Sequence, residues 1–380
     1  MQFTFFHLMP YRPLDMAERH KHRAAWVVLP NTLYDPKKGA DEYESYINQL
    51  VYAEKLGFDV IAVNEHHQTA YGMMPAPNLI ASNLIARTSK AKIAIIGRAL
   101  PLVNNPVNIA EEFAMLDNLS RGRIITGFVR GIGNEYHATG INPYWSHERY
   151  QEAHDLIVQA WTKTGPFSFE GEHFNLRYVN LWPRPYQKPH PPIWIPSQGS
   201  KETIDWASHP DRRYTYLQTF SPVKVVHRYL KQYRDTAAGY GYQATDAQLG
   251  WAVPVYVAAD DESARREAKP HFEAFRNVFV KMPLEMLLPP GYTSRESLKN
   301  VMKAKAQMFG DVTLEQALEL GLFVCGSADT VYRKFEGYWR EMRFGNLLVM
   351  CQFGTLPGDL ARANMERFAR GVMPKLHALN

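Results

Sequence analysis

Two histidines follow a short apolar run that has the composition of a buried strand. The run is FDVIAVN at residues 58–64, and Glu65-His66-His67 come directly after it. A histidine at the end of a buried strand can move a proton or hold a substrate, because its ring titrates near neutral pH. Metal ligation and plain packing against a helix are competing interpretations. Adjacent strand residues point to opposite sides, so one shared metal is disfavoured, and we predict catalytic roles for His66 and His67.

An arginine with glycines on its C-terminal side follows a second predicted strand. The segment after residues 123–129 begins Arg130-Gly131-Ile132-Gly133. A guanidinium together with closely approaching backbone N–H groups can bind a phosphate. Taken alone, the same residues also fit an arginine that forms an ion pair at a turn.

A third cluster follows the predicted strand at 193–196. Gly199 precedes Ser200, which fits a helix N-cap, and Thr203 falls on the same helical face. A helix N-terminus with two hydroxyls can hold an anion, although a plain helix cap is the simpler explanation. If the two strands are neighbours, Arg130, Ser200 and Thr203 meet at one edge, and we predict a phosphate site there.

The elements that would position these residues alternate regularly along the chain. We predict strands at 2–7, 58–64, 92–100, 123–129, 193–196, 214–218, 249–258 and 346–352, with helices between and after them near 43–56, 76–88, 105–119, 147–161, 202–207, 223–240, 261–279, 330–343 and 359–376. Such alternation implies parallel strands joined by crossover helices. Eight units predict an α/β fold, a (β/α)8 TIM barrel.

The barrel is predicted to be a single domain over residues 1–380 with two insertions. The first, at about 165–190, contains a β-hairpin and a proline-rich connector, and it precedes the fifth predicted strand (193–196). The second, at 277–311, follows the seventh predicted strand (249–258) and has the length and apolar content of a lid. Two doubly wound halves are the alternative, but no low-complexity linker divides the chain.

Composition excludes several functional classes. The 380 residues include 43 Lys and Arg against 38 Asp and Glu, so the net charge is only +5, and the basic residues are scattered. We therefore expect neither nucleic acid nor a membrane as a partner. Two cysteines exclude a disulfide scaffold. The N-terminal residues do not fit a signal peptide, and we expect a cytoplasmic protein.

Several segments resemble the bacterial luciferase-like flavin monooxygenases along essentially the whole chain. These are Glu65-His66-His67 through Tyr71-Gly72, the block PVNIAEEFAMLDNLSRGRIITGFVRG at 106–131, Ser200-x-x-Thr203, and the C-terminal Val372-Met373-Pro374. The Trp-Pro-Arg-Pro segment and the Asn104-Asn105-Pro106 approach are closer to the limonene-type and alkanesulfonate-type enzymes.

The resemblance implies a two-component enzyme that uses reduced FMN supplied by a separate flavin reductase. Reduced flavin would react with O2 at its C4a carbon, giving a peroxyflavin that oxygenates a small, mostly apolar organic substrate. The resemblance also implies a homo-oligomer, either a dimer or a tetramer. It implies that Arg130, the backbone of Ile132, Ser200 and Thr203 bind the phosphate of the cofactor. We also expect cofactor contacts from Arg98, Asn104, Gly131 and Gly199.

The sequence also departs from the family pattern. Arg98 stands where a small residue is usual, at the end of strand 3, where the resemblance implies a non-prolyl cis peptide near Gly97-Arg98 or Arg98-Ala99. Val129 replaces the reactive cysteine of the luciferases. A deazaflavin (F420)-dependent oxidoreductase, a non-catalytic flavin-binding protein and a metal-dependent hydrolase remain as alternatives.

Overall fold

Eight parallel strands close into a barrel in the computed structural model, which describes residues 1–293 and 310–379. In chain order the strands are β1 (Gln2–Phe6), β2 (Val60–Val63), β3 (Lys92–Ala99), β4 (Ile124–Val129), β5 (Phe167–Glu170), β6 (Asn175–Val179), β7 (Ile193–Ser197), β8 (Thr215–Thr219), β9 (Leu249–Ala258), β10 (Val324–Ser327) and β11 (Asn346–Met350). The barrel order is β1-β2-β3-β4-β7-β8-β9-β11, and β11 pairs with β1 to close it. The predicted (β/α)8 fold is confirmed.

Helices surround the barrel and follow its strands. They are α1 (Met16–Arg19), α2 (Pro36–Lys55), α3 (Pro77–Arg87), α4 (Pro106–Ser120), α5 (Gly133–Thr139), α6 (Ser146–Thr162), α7 (Lys201–Ser208), α8 (Val223–Gly239), α9 (Asp261–Ala274), a π-helical turn (Phe275–Phe279), α10 (Leu284–Leu287), α11 (Leu314–Leu320), α12 (Ala328–Met342), α13 (Gly358–Gly371) and α14 (Met373–His377). Across the described ranges, no helix combines the length and the apolar character needed to cross a membrane.

The barrel strands form where apolar residues predominate, and several of them are buried along their whole length. Every residue of β2 (VIAV) and of β9 (LGWAVPVYVA) is buried, as expected for parallel strands covered by helices. The helices begin at clear signals. Asn105 caps α4 by accepting the N–H of Val107, and Pro106 occupies the first helical position.

Strands β3 and β4 approach each other so closely at Gly127 that no side chain fits at this position. A Cβ at Gly127 would lie 2.4 Å from the Cα of Ile96, so only glycine fits there. The pairing register shifts between Ile96 and Arg98, which marks a β-bulge at Gly97. The cis peptide predicted at Gly97-Arg98 or Arg98-Ala99 is wrong: throughout the described residues, cis bonds occur only before proline. The bulge bends the chain there through trans peptides.

Outside the barrel, the first insertion forms the predicted hairpin, in which β5 pairs antiparallel with β6. A ninth parallel strand, β10, was not predicted. It pairs with residues 255–258 of β9, which extends past its barrel neighbours.

The second insertion is described only in part. Residues 294–309 of the predicted lid, with most of its C-terminal helical pattern, lie outside the described residues. The preceding residues cover α5: a Cβ at Gly133 would lie 2.2 Å from Pro289 and 2.4 Å from the carbonyl oxygen of Leu287. This part of the insertion therefore packs directly beside Arg130.

Candidate active site

His66 lies at the C-terminal end of β2 with both ring nitrogens engaged. The Nδ2 group of Asn64 donates to Nε2 at 2.9 Å, and Nδ1 donates to Oε1 of Glu135 at 3.1 Å. Burial alone would raise the pKa of the Glu135 carboxyl. Its contacts with His66 and with the N–H of Ile132 lower it below the usual value. An ionised Glu135 therefore fixes the orientation of the His66 ring.

His67 is the more accessible histidine of the pair. Its Nε2 lies 3.0 Å from Oε1 of Glu65, and 29% of its side chain is exposed. The hydrogen bond to Glu65 raises the pKa of His67, although burial opposes this. Within the described ranges, Nδ1 of His67 has no hydrogen-bond partner, which leaves that nitrogen able to contact a ligand.

Arg98 is paired with the same carboxylate. Its Nη1 lies 2.5 Å from the other oxygen of Glu65, and its Nη2 lies 3.8 Å from Glu112. Glu65 is almost fully buried, so Arg98 compensates a charge that would otherwise be costly to bury. The structure thus gives Arg98 a protein partner in the place where the sequence predicted a cofactor contact.

Arg130 lies at the end of β4 under a residue of the second insertion. Its Nη1 donates to Oγ of Ser146 at 3.1 Å and to the carbonyl of Tyr292 at 3.0 Å. The guanidinium carbon also lies 4.4 Å from the centre of the Tyr292 ring. The Tyr292 hydroxyl in turn donates to the carbonyl of Gly131 at 2.6 Å.

The N-terminus of α7 contributes the hydroxyl groups expected after β7. Oγ of Ser200 accepts the N–H of Thr203 at 3.2 Å and donates to Oε2 of Glu202 at 2.6 Å. Gly199 adopts a left-handed conformation with φ of +98°, and its N–H donates to Ser197. The hydrogen bond from Ser200 lowers the pKa of Glu202, burial opposes this, and the charges of His147 and Arg130 lower it further. Glu202 therefore lies within reach of charges from both the β4 and the β7 clusters.

His147 completes this cluster and was missed from the sequence. It lies in the first turn of α6, next to Ser146, so an inspection of strand ends alone does not reach it. Burial, and then the charge of Arg130, lowers the pKa of His147 to about 4, while Glu202 opposes this shift. We call Arg130, His147, Ser200 and Thr203 the anion rim.

Two other predicted cofactor residues fit less well. The N–H of Ile132 donates to Oε2 of Glu135 at 2.8 Å, so it is already used by the protein. Asn104 is exposed in the loop before α4, and no hydrogen bond joins its side chain to any described residue.

The composition of the rim suits a phosphate group. Two nitrogenous side chains, Arg130 and His147, lie close enough for the charge of Arg130 to lower the pKa of His147, and one exposed acid, Glu202, faces them. Nearby, Asn134 is fully buried, yet neither amide atom has a partner among the described residues. Buried polar groups normally find partners, so Asn134 is an exception on α5, the helix that follows Arg130.

Aromatic rings line the same end of the barrel beside His66. The Tyr71 ring stacks on Trp26 at 4.8 Å and on Phe275 at 6.2 Å, and the rings of Phe275 and Phe220 are 6.2 Å apart. Trp26 and Tyr71 also contact the edge of His66. We call these four rings the aromatic wall. Tyr71 stands in the segment quoted after His67, but nothing in its spacing indicated a role.

No group of three or more potential metal ligands is found in the described part of the chain. His66 and His67 contact separate carboxylates, Glu135 and Glu65. The candidate site therefore consists of two histidine–carboxylate pairs and the anion rim.

Comparison with known proteins assigns most of the chain to one family. The family model described as luciferase-like monooxygenase matches residues 23–344. The protein y4wF of Sinorhizobium fredii (strain NBRC 101917 / NGR234) is 30% identical over 321 residues, which cover 83% of this chain and 87% of that protein.

Two solved structures share the fold over nearly the whole chain. The monooxygenase RslO1 of Streptomyces bottropensis has a TM-score of 0.74 and 21% identity, covering 99% of this chain and 100% of that one. The oxygenating constituent of 3,6-diketocamphane monooxygenase of Pseudomonas putida, a type II Baeyer–Villiger enzyme in complex with FMN, has a TM-score of 0.73 and 20% identity, covering 99% and 98%. The chain is therefore a member of the luciferase-like monooxygenase family, which confirms the predicted family and the predicted enzyme class, a flavin-dependent monooxygenase.

Proposed function

We propose that this chain uses reduced FMN and O2 to oxygenate a small, mostly apolar organic substrate. The observation that carries the proposal is the anion rim, in which residues from two separate strand ends meet as phosphate ligands would. The family membership and the FMN-bound diketocamphane monooxygenase agree with it.

The rim residues would hold the FMN phosphate. Arg130 and protonated His147 would supply charge, while the Ser200 and Thr203 hydroxyls and the backbone at Gly131 and Gly199 would supply shorter contacts. Glu202 opposes an anion, and its exposure keeps that repulsion weak. The N–H of Ile132 would bind the phosphate only if it gave up its hydrogen bond to Glu135.

Reduced FMN, when bound, supplies the electrons that activate O2 for transfer of one oxygen atom. The protein residues would orient the reactants and exclude water. His66, held by Glu135, would position groups beside the aromatic wall, and His67 would hold or donate a proton at Nδ1. Arg98 would act through Glu65 rather than by touching the cofactor.

The reduced flavin would come from a separate flavin reductase. The purified chain with FMN and NADH or NADPH is expected to oxidise neither nicotinamide, and addition of any flavin reductase should start product formation. Nicotinamide oxidation by the chain alone would show that it reduces its own flavin.

The central test mixes the protein and reduced FMN anaerobically and then adds O2 in a stopped-flow spectrophotometer. We expect flavin oxidation in two resolved phases, slower than in free solution, and loss of that behaviour in Arg130→Ala. Oxidation at the rate of free reduced FMN, with no bound flavin, would contradict the proposal. Binding of F420 in place of FMN would then favour the deazaflavin-dependent alternative.

A further inference from the structure

Arg276 is a cation at the mouth of the barrel that the proposed mechanism does not use. It lies in the π-helical turn Phe275–Phe279 that follows α9. Turns of this kind are rare and often occur at functional sites. The turn sits above strand ends, because the Phe275 ring contacts Tyr71, which follows β2, and Phe220, which follows β8.

The neighbours of Arg276 in the turn are anchored to the rest of the protein. Asn277 exchanges hydrogen bonds with the backbone of Val312 at 3.1 and 2.9 Å. The carbonyls of Val278 and Phe279 accept from side chains of the segment between β1 and α2, Arg19 at 3.0 Å and Trp26 at 2.8 Å. These hydrogen bonds hold the turn in place.

The Arg276 side chain, in contrast, makes no hydrogen bond or ion pair with any residue in the described ranges. It is half-buried, and burial lowers the pKa of its guanidinium. A partly buried guanidinium that has no acidic partner keeps donors that an anionic ligand can pair with.

Tyr71 stands next to Arg276 and is also unpaired. Burial raises the pKa of the Tyr71 hydroxyl, while the charge of Arg276 acts against that rise. The hydroxyl of Tyr71 has no hydrogen-bond partner among the described residues, although the residue is only 5% exposed. In the part of the chain that the structure describes, a cation and a hydroxyl thus lack partners at the end of the barrel where His66 lies.

We propose that Arg276 and the Tyr71 hydroxyl bind the anionic group of the substrate, an aromatic or apolar organic acid whose body packs against Phe220, the ring of the aromatic wall that is only partly buried. This inference rests on the proposed function, because it names the substrate class for the same site. Guanidinium groups match carboxylates in geometry and charge. The rim lies after β4 and β7 and would be filled by phosphate, so the two anion sites would be separate.

Paired neutral and charged probes test the proposal. Calorimetric titrations would compare benzoate with benzamide, 2-naphthoate with 2-naphthamide, and octanoate with octanamide, each with and without excess FMN. In the wild type, at least one acid should bind on the order of tenfold or more tightly than its amide. Arg276→Gln should abolish that preference while amide binding changes by less than about twofold.

Two further variants control for charge and folding. Arg276→Lys keeps the charge and should retain part of the preference. Arg265→Gln removes an equal charge from the exposed side of α9 and should leave the preference unchanged.

The remaining outcomes separate this inference from the proposed function. It is overturned if no acid binds better than its amide, or if Arg276→Gln weakens FMN binding and leaves acid preference intact, since Arg276 would then serve the flavin. Absence of FMN binding to the wild type would contradict the proposed function alone, because the titrations without FMN still measure acid preference.

Discussion

Tyr292 lies over Arg130, with 4.4 Å between its ring centre and the guanidinium carbon, and its carbonyl accepts a hydrogen bond from the same guanidinium. The two residues are 162 positions apart in sequence. The insertion after β9 thus contacts the arginine that we assign to the FMN phosphate. Binding of the cofactor and the position of the insertion should therefore depend on each other.

Replacement of Arg130 separates the phosphate contact from the insertion contact. Arg130→Ala should weaken FMN binding by about 1.5–3 kcal/mol, the range for a hydrogen bond to a charged group. Tyr292→Leu keeps the cation and should weaken FMN binding by less than about 1 kcal/mol, the value of a half-exposed cation–π contact. Fluorescence titration of FMN measures both. Equal losses in the two variants would mean that Arg130 acts through the insertion.

Much of the fold follows from the sequence because the signals are local. The barrel strands are short, largely buried segments rich in apolar residues between helices, and the bounds of all eight were predicted within about two residues. The strand β10 has only four residues, VCGS, and pairs outside the barrel, so neither length nor periodicity marks it.

The site was predictable only as far as topology determines it. Parallel neighbouring strands bring Arg130 and Ser200 to one edge, and the structure places them there. The partner of His66 is Glu135, 69 residues away, and such side-chain pairs leave no sequence pattern. His147 was missed because it lies on a helix and not at a strand end. The predicted cis peptide was wrong because a β-bulge at Gly97, with trans peptides, bends the chain at the end of β3.

The predicted homo-oligomer has a candidate contact surface on α4 and the proline-rich connector. Leu119 is 53% exposed, Met115 is 56% exposed and Trp182 is 81% exposed. Asn118 links the two segments by donating to the carbonyl of Arg184 at 2.7 Å. Large exposed apolar residues gathered on one face are typical of interfaces. We expect a second copy of this chain to cover them.

Light scattering after size exclusion checks this expectation. The wild type should have at least twice the monomer mass of 43.6 kDa, and Leu119→Glu should lower that mass at micromolar concentration. Tyr240→Glu changes a residue that is 44% exposed after α8 and serves as the matched control. A monomeric wild type, or an unchanged mass for Leu119→Glu, would contradict the assignment of this surface.

His147 predicts how FMN affinity varies with pH. Its pKa is lowered to about 4, mainly by burial and then by Arg130, so without ligand the ring is neutral at pH 7. A bound phosphate favours the protonated ring and raises this pKa. Affinity should therefore increase as pH falls through the raised value, and the increase should level off near pH 4.

His147→Gln provides the comparison, because the phosphate itself titrates near pH 6 in both proteins. The ratio of FMN dissociation constants, variant over wild type, should increase as pH falls from 7 to 5. A ratio that stays constant with pH would remove His147 from the rim.

His67 can be tested by variants that shift its pKa in opposite directions. The hydrogen bond to Glu65 raises this pKa, and the charge of Arg98 lowers it. Glu65→Gln should therefore lower the pKa of His67, and Arg98→Gln should raise it, since Glu65 would then face the histidine alone. NMR titration of the ring, assigned with His67→Asn, measures both shifts.

The same shifts should appear in catalysis if protonated His67 donates to a reacting group. Product formed per reduced FMN consumed should then fall as pH rises through the pKa of His67. The fall should occur at lower pH in Glu65→Gln and at higher pH in Arg98→Gln. His66→Ala keeps the His67–Glu65 pair and should retain FMN binding but yield less product at every pH, because a positioning group is lost. Variant pH profiles that do not follow the NMR titrations would assign the His67–Glu65–Arg98 group a purely structural role.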